Sequence, residues 1–267
     1  MAGPALRCAG GHSFDIARQG YVNLLPGGHR PGTGDTASMV RARDTFLRAG
    51  HFARLRHVMV ETAARALLEV PKQADPAQGC IIDVGAGTGY YLAGVLDRLP
   101  GTVGLALDIS KFALRRAARA HERMGAVACD TWQRLPVRDH CAVLILDVFA
   151  PRNPPEFRRL LEPRGRLVVI TPTDRHLCEL VPALGLLTVD TRKQERLDAR
   201  LAGDFAQMES IRHEEPLVLN PEEIVALAGM GPSAYHIPAE ELVQKAALLP
   251  DRVTLTVSVT ISVYRPR

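Results

Sequence analysis

A glycine-rich segment in the first half of the chain constrains the fold more than any other feature. Residues 80–84 form an apolar run that is broken only by Asp83, and Gly85, Gly87 and Gly89 follow at a spacing of two. An apolar run of this length predicts a buried strand, and the glycines after it predict a tight turn into a helix. Because glycine has no Cβ, such a turn lets the backbone approach a ligand closely.

A second apolar run places an acid where a nucleoside would bind. Residues 103–107 are mostly apolar and are followed by Asp108. An acid at the end of the second strand of an open α/β sheet suits the two hydroxyls of a ribose. Asp108 is therefore predicted to hold the ribose of an adenosine-bearing cofactor. The alternative is that Asp108 caps the helix that starts at residues 109–111.

The glycine spacing distinguishes between two classes of cofactor. Dinucleotide sites carry G-x-G-x-x-G, with a pyrophosphate over the helix N-terminus. Here the third glycine comes one place earlier, and Asp83 precedes the first glycine by two positions. A carboxylate beside the loop disfavours a pyrophosphate but attracts an ammonium group. The pattern therefore favours S-adenosylmethionine (SAM) and makes a nicotinamide dehydrogenase the least favoured reading.

The D-x-G-x-G-x-G pattern resembles motif I of class I methyltransferases, although an unrelated glycine turn remains an alternative. The loop residues are expected to cradle the methionine and ribose part of SAM, namely Gly85, Gly87, Thr88 and Gly89. Asp83 is the candidate for attracting the amino group, directly or through water. Asp83 could equally cap the turn that follows it.

The length and composition of the chain fit one α/β domain with a small appendage. The chain has 267 residues, of which 46% are apolar, so a large core can be buried. No apolar run is long enough to cross a membrane. Five scattered cysteines predict a reducing cytoplasm. The net charge of +4 permits an RNA partner without requiring one.

Alternating strands and helices follow the glycine segment and predict a parallel sheet with helices on both faces. The predicted strands are Cys80–Val84, Val103–Asp108, Ala126–Cys129, Ala142–Val148 and Arg166–Thr171, and the predicted helices are Tyr90–Leu99, Lys111–Met124 and Glu156–Leu161. Upstream, residues 1–33 are predicted to be a small irregular module and residues 34–70 a helical connector. Residues 71–267 are predicted to be the cofactor domain.

The C-terminal part is predicted to contain two further strands. Residues 217–219 suggest a short one, and residues 253–263 alternate strictly between apolar side chains and hydroxyl side chains. Such alternation predicts a half-buried strand near a sheet edge. This last strand fits the seventh, antiparallel strand of the methyltransferase fold.

The N-terminal module carries half of a metal site. Cys8 and His12 place a thiol and an imidazole four residues apart. Structural zinc needs four ligands, and no cysteine precedes Cys8. His29 and His51 are substitutes on the wrong side of the pair. The sequence therefore leaves zinc open but does not favour tight binding.

A resemblance to a known family extends over nearly the whole chain. Residues 8–25 resemble the N-terminal region of the RlmA family, which are ribosomal large-subunit RNA (guanine-N1)-methyltransferases. The likeness continues through Met39–Arg43, Ala49–Phe52, Asp83–Tyr91, Leu107–Lys111, Phe149–Glu156, Thr171–Leu177 and Met230–Ser233. Within the family the chain looks most like the actinobacterial macrolide-resistance branch. It lacks the upstream cysteine pair, so the zinc-ribbon-like module is expected to be truncated or to have lost its zinc.

The resemblance implies a fold and an activity. The fold would be α/β, of the class I (Rossmann-like) SAM-dependent methyltransferase type. The activity would be methylation of guanine N1 in a hairpin loop of domain II of 23S rRNA, with resistance to tylosin- and mycinamicin-type macrolides. A cytoplasmic homodimer with no membrane contact is implied. The alternatives are a methyltransferase of a macrolide or other small molecule, and a ribosome-binding protein without chemistry.

The resemblance also implies further cofactor contacts. Phe52 takes the position of a family aromatic that contacts the cofactor, although relatives often carry tyrosine there. His176 matches a family histidine that contacts the cofactor; otherwise it is a surface or capping residue. Asp130 follows the third strand, where methyltransferases often read the adenine amino group; otherwise it is a plain loop acid.

The target atom sets what catalysis requires. Guanine N1 carries a proton and lies on the Watson–Crick edge, so the base must be unpaired and the proton must leave. Asp147 ends the fourth strand, and the segment Asn153–Glu156 is similar to a target-base motif of amino-methylating enzymes but lacks its aromatic. Asp147 and Glu156 are the candidate proton acceptors. Arg41 and Arg43 are expected to grip the RNA, or else to lie on an exposed helix face.

Overall fold

A computed structural model describes residues 5–27, 34–68, 79–188 and 199–267. The strands are β1 (Ala5–Arg7), β2 (Ser13–Asp15), β3 (Tyr21–Asn23), β4 (Cys80–Val84), β5 (Val103–Asp108), β6 (Met124–Ala128), β7 (Ala142–Val148), β8 (Leu161–Pro172), β9 (Phe205–Leu219) and β10 (Val253–Pro266). The helices are α1 (Ala37–Arg48), α2 (Ala53–Leu68), α3 (Tyr90–Arg98), α4 (Lys111–Ala117), α5 (Pro154–Leu160), α6 (Leu180–Leu184), α7 (Pro221–Gly229) and α8 (Ala239–Ala246), with a 3-10 turn at Pro232–Tyr235. Residues 199–204 are also helical.

The centre of the molecule is an eight-stranded sheet in the order β3-β6-β5-β4-β7-β8-β10-β9. The strands from β3 to β8 run parallel, whereas β10 is antiparallel to both β8 and β9. The strand order reverses at β4, in the middle of the sheet: β5 and β6 follow on one side of β4, and β7 and β8 follow on the other. The ligand crevice is therefore expected beyond the carboxyl ends of β4, β5 and β7. The expected class I methyltransferase fold is confirmed, including its last antiparallel strand.

Alternating side chains of the central strands feed two cores. Ile81 of β4 belongs to the core that includes α2 and α3, whereas its neighbour Ile82 packs with Phe157 of α5. Both isoleucines are fully buried. Burial on both faces explains why these strands are continuous apolar runs in the sequence.

Four details differ from the sequence prediction. The helix predicted over Lys111–Met124 ends at Ala117, because Met124 already belongs to β6. The strand predicted over Arg166–Thr171 is longer than expected: β8 starts at Leu161, and its pairing with β7 shifts register before Arg166. The short strand at 217–219 is the end of the fifteen-residue strand β9. The hydroxyl face of β10 is partly buried, since Ser258 and Ser262 are covered. The edge of the sheet is formed by β9, and β10 lies next to it.

The N-terminal residues join the main sheet. β1 and β2 form a separate two-stranded antiparallel sheet, and β3 pairs in parallel with β6 at the edge of the central sheet. The predicted domain boundaries at 33/34 and 70/71 border or fall within segments outside the described residues, as does His29, and they stay predictions. In the described part of the chain, no helix combines the length and the hydropathy that a membrane span requires.

Candidate functional site

In the glycine turn after β4, one of the three glycines is an open position, with room where a side chain would start. Gly85, Gly87 and Gly89 all have positive φ. A Cβ on Gly85 would come within 2.6 Å of the Ala150 Cβ, and a Cβ on Gly89 would come within 2.9 Å of the Met124 Sδ. Packing therefore requires glycine at both. A Cβ on Gly87 would meet only the Arg43 side chain, at 3.4 Å, so Gly87 is the point at which a ligand can approach the backbone.

Asp108 fixes the shape of this turn. One carboxylate oxygen accepts a hydrogen bond from the Gly87 amide at 2.8 Å, and the other accepts one from the Ser110 amide at 2.7 Å. Burial raises the pKa of Asp108, and the two amide hydrogen bonds offset part of this effect. Asp108 therefore joins the glycine turn to the start of α4. Each oxygen also has a second lone pair that can accept from a ligand hydroxyl.

Three buried polar side chains beside the turn lack hydrogen-bond partners. They are Asp83 through Oδ1, Tyr91 through its hydroxyl, and Asp147 through both oxygens. Burial, followed by the charge of Asp108, raises the pKa of Asp83 to about 8. Burial also raises the pKa of the Tyr91 hydroxyl. An unsatisfied buried group costs about 1–3 kcal/mol, so a cluster of them requires an explanation. A cationic, hydrogen-bonding ligand satisfies all of them, and these residues therefore fit SAM.

Arg43 belongs to this site, which the sequence did not indicate. Its guanidinium pairs with Asp35, donates to the Met230 carbonyl at 2.7 Å and lies against Gly87. The Asp35 carbonyl in turn accepts from the Ser110 hydroxyl at 2.7 Å. The expected RNA contacts of Arg43 and Arg41 stay predictions: Arg43 is partly buried at the glycine turn, whereas Arg41 is exposed. Among the described residues, the Arg43 guanidinium is thus the cation that lies against Gly87, the open position of the loop.

Three other residues expected to contact the cofactor have different surroundings in the structure. Asp130 follows β6 and accepts from the Trp132 amide at 3.0 Å, at the same edge of the sheet. Phe52 is buried and packs edge-to-face on Phe46, with ring centroids 5.1 Å apart. Thr88 is buried within the loop itself. These roles stay predictions, and the contacts of Phe52 are those of a core residue.

His176 lies just beyond the end of β8. Its Nδ1 accepts from the Ser258 amide at 3.2 Å, and its ring lies 5.8 Å from that of Phe149, centroid to centroid. Burial lowers the pKa of His176 to about 4, and this effect is larger than the opposite effect of the Ser258 amide contact, which raises the pKa. The imidazole is therefore neutral at physiological pH, with its proton on Nε2. Its cofactor role stays a prediction.

The two candidate proton acceptors differ in their surroundings. Asp147 is fully buried at the end of β7, and the Arg152 Nε lies 4.0 Å away, too far for a hydrogen bond. Burial raises the pKa of Asp147 well above its usual value despite Arg152. Glu156 instead accepts from Arg159 at 2.5 Å and from the Leu135 amide at 2.8 Å. Burial raises the pKa of Glu156, but these hydrogen bonds lower it by more. The structure brings only Asp147 to the glycine turn.

The N-terminal half-site is compact but incomplete. The Cys8 Sγ lies 3.3 Å from the His12 Nδ1, and this hydrogen bond is the main cause of a lowered pKa at Cys8. Both residues are exposed. Across the described ranges, no group of three or more histidine, cysteine or acidic side chains is placed to hold a metal ion. The side chains of the described residues therefore do not by themselves fit a tetrahedral zinc site.

Comparisons with known proteins agree with this geometry. Residues 2–31 match the family model of the RlmA N-terminal zinc ribbon. The chain is 51% identical to a protein of Micromonospora griseorubida named as a candidate 23S rRNA (guanine-N1)-methyltransferase, over 98% of this chain and 90% of that protein. It is 46% identical to the 23S rRNA (guanine(748)-N1)-methyltransferase of Streptomyces fradiae, over 98% and 91%. Among solved structures, the MccD protein has a TM-score of 0.50 at 13% identity, covers 78% of this chain and 96% of its own, and shows the fold alone.

Proposed function

Since the chain belongs to the RlmA family of 23S rRNA (guanine-N1)-methyltransferases, we propose that it transfers the methyl group of SAM to N1 of a guanine in 23S rRNA. The structural observation that supports this proposal is the glycine turn with its unpartnered acids. Asp83 and Asp147 are buried there, and Oδ1 of Asp83 and both oxygens of Asp147 have no hydrogen bond. Such acids suit a ligand that carries an ammonium and a sulfonium but no phosphate.

We propose that each charged part of SAM meets a different residue. The Asp108 oxygens accept from the ribose hydroxyls, and Asp83 attracts the amino group. Arg43, which already touches Gly87, pairs with the carboxylate of the methionine part. Asp130 reads the adenine. When bound, SAM supplies an electrophilic methyl group on its sulfonium.

The target atom determines the rest of the chemistry. Guanine N1 is blocked by Watson–Crick pairing, so the base has to leave its stack. Its proton must then leave as the lone pair attacks the methyl group in line. Of the two candidate acids we retain Asp147, because Glu156 is held by Arg159 and Leu135. A nearby sulfonium would favour the ionised form of Asp147 that accepts a proton.

The relatives suggest which guanine is modified. The Streptomyces fradiae protein is named for guanine 748, and we propose that the equivalent guanine, in a hairpin loop of domain II, is the target here. A methyl group there would confer resistance to tylosin- and mycinamicin-type macrolides. The relatives do not favour a small-molecule acceptor. We also propose a homodimer, on the family resemblance alone, which light scattering of the purified protein would test.

A single experiment tests the activity. The protein is incubated with labelled SAM and a 23S rRNA fragment containing the domain II hairpin, and the product is read by reverse transcription. Methylation at N1 blocks base pairing, so a new stop should appear at the target guanine. A hairpin with adenine at that position and the Asp108→Asn variant are the matched controls. Absence of label in RNA, together with labelling of a macrolide, would replace this proposal by the small-molecule alternative.

A cell-based measurement tests the resistance. Expression in a macrolide-sensitive host should raise the inhibitory concentration of tylosin and mycinamicin. Expression of the Asp108→Asn variant at equal level should leave it unchanged. Methylation of the hairpin without any change in the inhibitory concentration would retain the activity and remove the resistance role.

A further inference from the structure

Phe149, the residue directly after β7, has an uncommon backbone and an exposed ring. Its φ is +54°, in the left-handed region that bulky residues rarely adopt. Its amide donates to the Ile170 carbonyl at 3.1 Å, so the backbone is held by the neighbouring strand. The residue is nevertheless 41% exposed. A large aromatic side chain is thus held at the surface by a strained backbone.

Strained residues are concentrated at this point. Three non-glycine residues have positive φ within the parts of the chain that the structure describes, namely His140, Phe149 and Leu177. Leu177 directly follows His176, whose ring lies 5.8 Å from that of Phe149, centroid to centroid. His140 precedes the other end of β7 and bonds through its Nδ1 to the Leu161 carbonyl. Backbone strain tends to occur at functional sites, and here two strained residues meet at the ligand-binding edge of the sheet.

The contact with His176 fixes the orientation of the Phe149 ring. The ring planes are inclined by 31°, with centroids 5.8 Å apart. His176 is itself fixed, since its Nδ1 accepts from the Ser258 amide on β10. The imidazole thus supports the phenyl ring from a rigid strand. Phe149 is therefore oriented before any ligand arrives.

Phe149 also lies at the entrance to the cofactor cradle. The next residue, Ala150, packs so closely on Gly85 that a Cβ there would clash. Two residues earlier, Asp147 is buried near Asp83, and neither of its oxygens is hydrogen-bonded. The exposed ring thus presents a flat apolar surface at the carboxyl edge of the sheet, between the residue that packs on Gly85 and the buried Asp147.

We propose that Phe149 is the platform on which the unpaired target base stacks, with His176 as the positioning residue behind it. This inference rests on the proposed function and names the part of the site that holds the purine. Aromatic stacking suits a base taken out of its helix, because every base presents a π-face. Here the apolar ring would align guanine N1 with the methyl group, while the edge of the base stays free for proton transfer.

The test separates RNA binding from cofactor binding. Phe149→Leu removes the aromatic face, and Phe149→Gly removes the side chain and relieves the positive φ. Both should raise the KM for the hairpin about 10- to 100-fold, the range expected for loss of one stacked base. Phe149→Tyr keeps the ring and should stay within about threefold of the wild-type KM. Leu248→Gly, which removes an apolar side chain elsewhere that is 86% exposed, should leave the KM unchanged.

Two further readouts exclude a folding or cofactor effect. Affinity for S-adenosylhomocysteine, measured by calorimetry, should be unchanged in the Phe149 variants, and the Tm of Phe149→Gly should equal or exceed that of the wild type. His176→Phe, which supports the ring without an imidazole, should retain the RNA KM better than His176→Ala. A parallel loss of S-adenosylhomocysteine affinity would assign Phe149 to the cofactor cradle and overturn the proposal. Unchanged KM values in Phe149→Leu and Phe149→Gly would also overturn it, whereas a wild type that does not methylate RNA would remove the proposed function itself.

Discussion

The carboxyl edge of the central sheet and the N-terminal hairpin both collect potential ligand groups, but in opposite ways. At the edge, Asp83 and Asp147 are buried, and Oδ1 of Asp83 and both oxygens of Asp147 have no hydrogen-bond partner. In the hairpin, Cys8 and His12 are exposed and bond to each other. A buried acid without a partner is destabilising until a ligand satisfies it, whereas an exposed pair that satisfies itself needs no ligand. The comparison supports our proposal that the cofactor binds at the sheet edge, and it gives the hairpin no comparable requirement for a ligand.

The largest expected effect comes from the shape of the glycine turn. Gly85→Ala places a methyl group 2.6 Å from the Ala150 Cβ, at a φ of +75°. Overpacking and strain each cost on the order of 1–3 kcal/mol, so affinity for S-adenosylhomocysteine should fall by at least about 100-fold. The control is Gly11→Ala in the N-terminal segment, where φ is +80° but nothing lies within 4 Å. Equal losses of affinity in both variants would contradict the distinction between the two regions.

The second effect concerns the acid that holds the turn. Asp108→Asn can keep only one of the two bonds to the Gly87 and Ser110 amides, because one oxygen becomes an NH₂ group. One buried amide then loses its acceptor at a cost of about 1–3 kcal/mol, so affinity for S-adenosylhomocysteine should fall about 10- to 100-fold. Calorimetry measures this. Asp139→Asn, which alters an exposed acid paired with Arg159, is the matched control and should bind normally.

The third effect tests the carboxylate contact of Arg43. Arg43→Gln should weaken S-adenosylhomocysteine binding about tenfold, because a charge-assisted hydrogen bond is lost. The same variant should bind 5′-methylthioadenosine, which lacks the carboxylate, as well as the wild type does. Arg41→Gln, two residues away and exposed, is the control. If Arg43→Gln weakened both ligands equally, its role would be to hold the turn through Asp35 and Met230.

These residues show what the sequence can and cannot predict. The strands β4, β5 and β7 were predicted with their observed bounds, because buried parallel strands are apolar runs that end in turns. Most of β9 was missed, since residues 206–216 are rich in charged side chains, as an edge strand permits. Tyr91 could have been found, since it stands in the first turn of α3 after the glycines.

Other site residues could not have been found from one sequence. Arg43 reaches the turn only because α1 packs beside α4, a contact between segments distant in the chain. The role of Phe149 depends on a dihedral angle and on a contact with His176, and neither leaves a periodic signal. Motif spacing thus predicted the strand-end acids, whereas the residues contributed by tertiary packing required the structure.

A smaller effect follows from the pKa of about 8 at Asp83. The folded protein binds this proton more tightly than the unfolded chain, so its stability should fall as the pH rises from about 4 to about 8. A bound ammonium group favours the ionised form, so S-adenosylhomocysteine should release close to one proton at pH 7. Calorimetry in two buffers of different ionisation enthalpy measures this release. Asp83→Asn should abolish it, and release that persists in this variant would assign the proton to another group.

The smallest effect on cofactor affinity is expected from substitutions in the N-terminal hairpin. There, Cys8 should instead react as a free thiol. The lowered pKa of Cys8 predicts faster alkylation by iodoacetamide at pH 7 than that of Cys178, which is also exposed. His12→Ala removes the hydrogen bond that lowers this pKa and should slow the reaction. Cys8→Ser should leave S-adenosylhomocysteine affinity unchanged. The contrast between the hairpin and the sheet edge would be contradicted if the purified protein contained near-equimolar zinc and Cys8 were labelled only after chelation. Such a result would require zinc ligands in addition to Cys8 and His12.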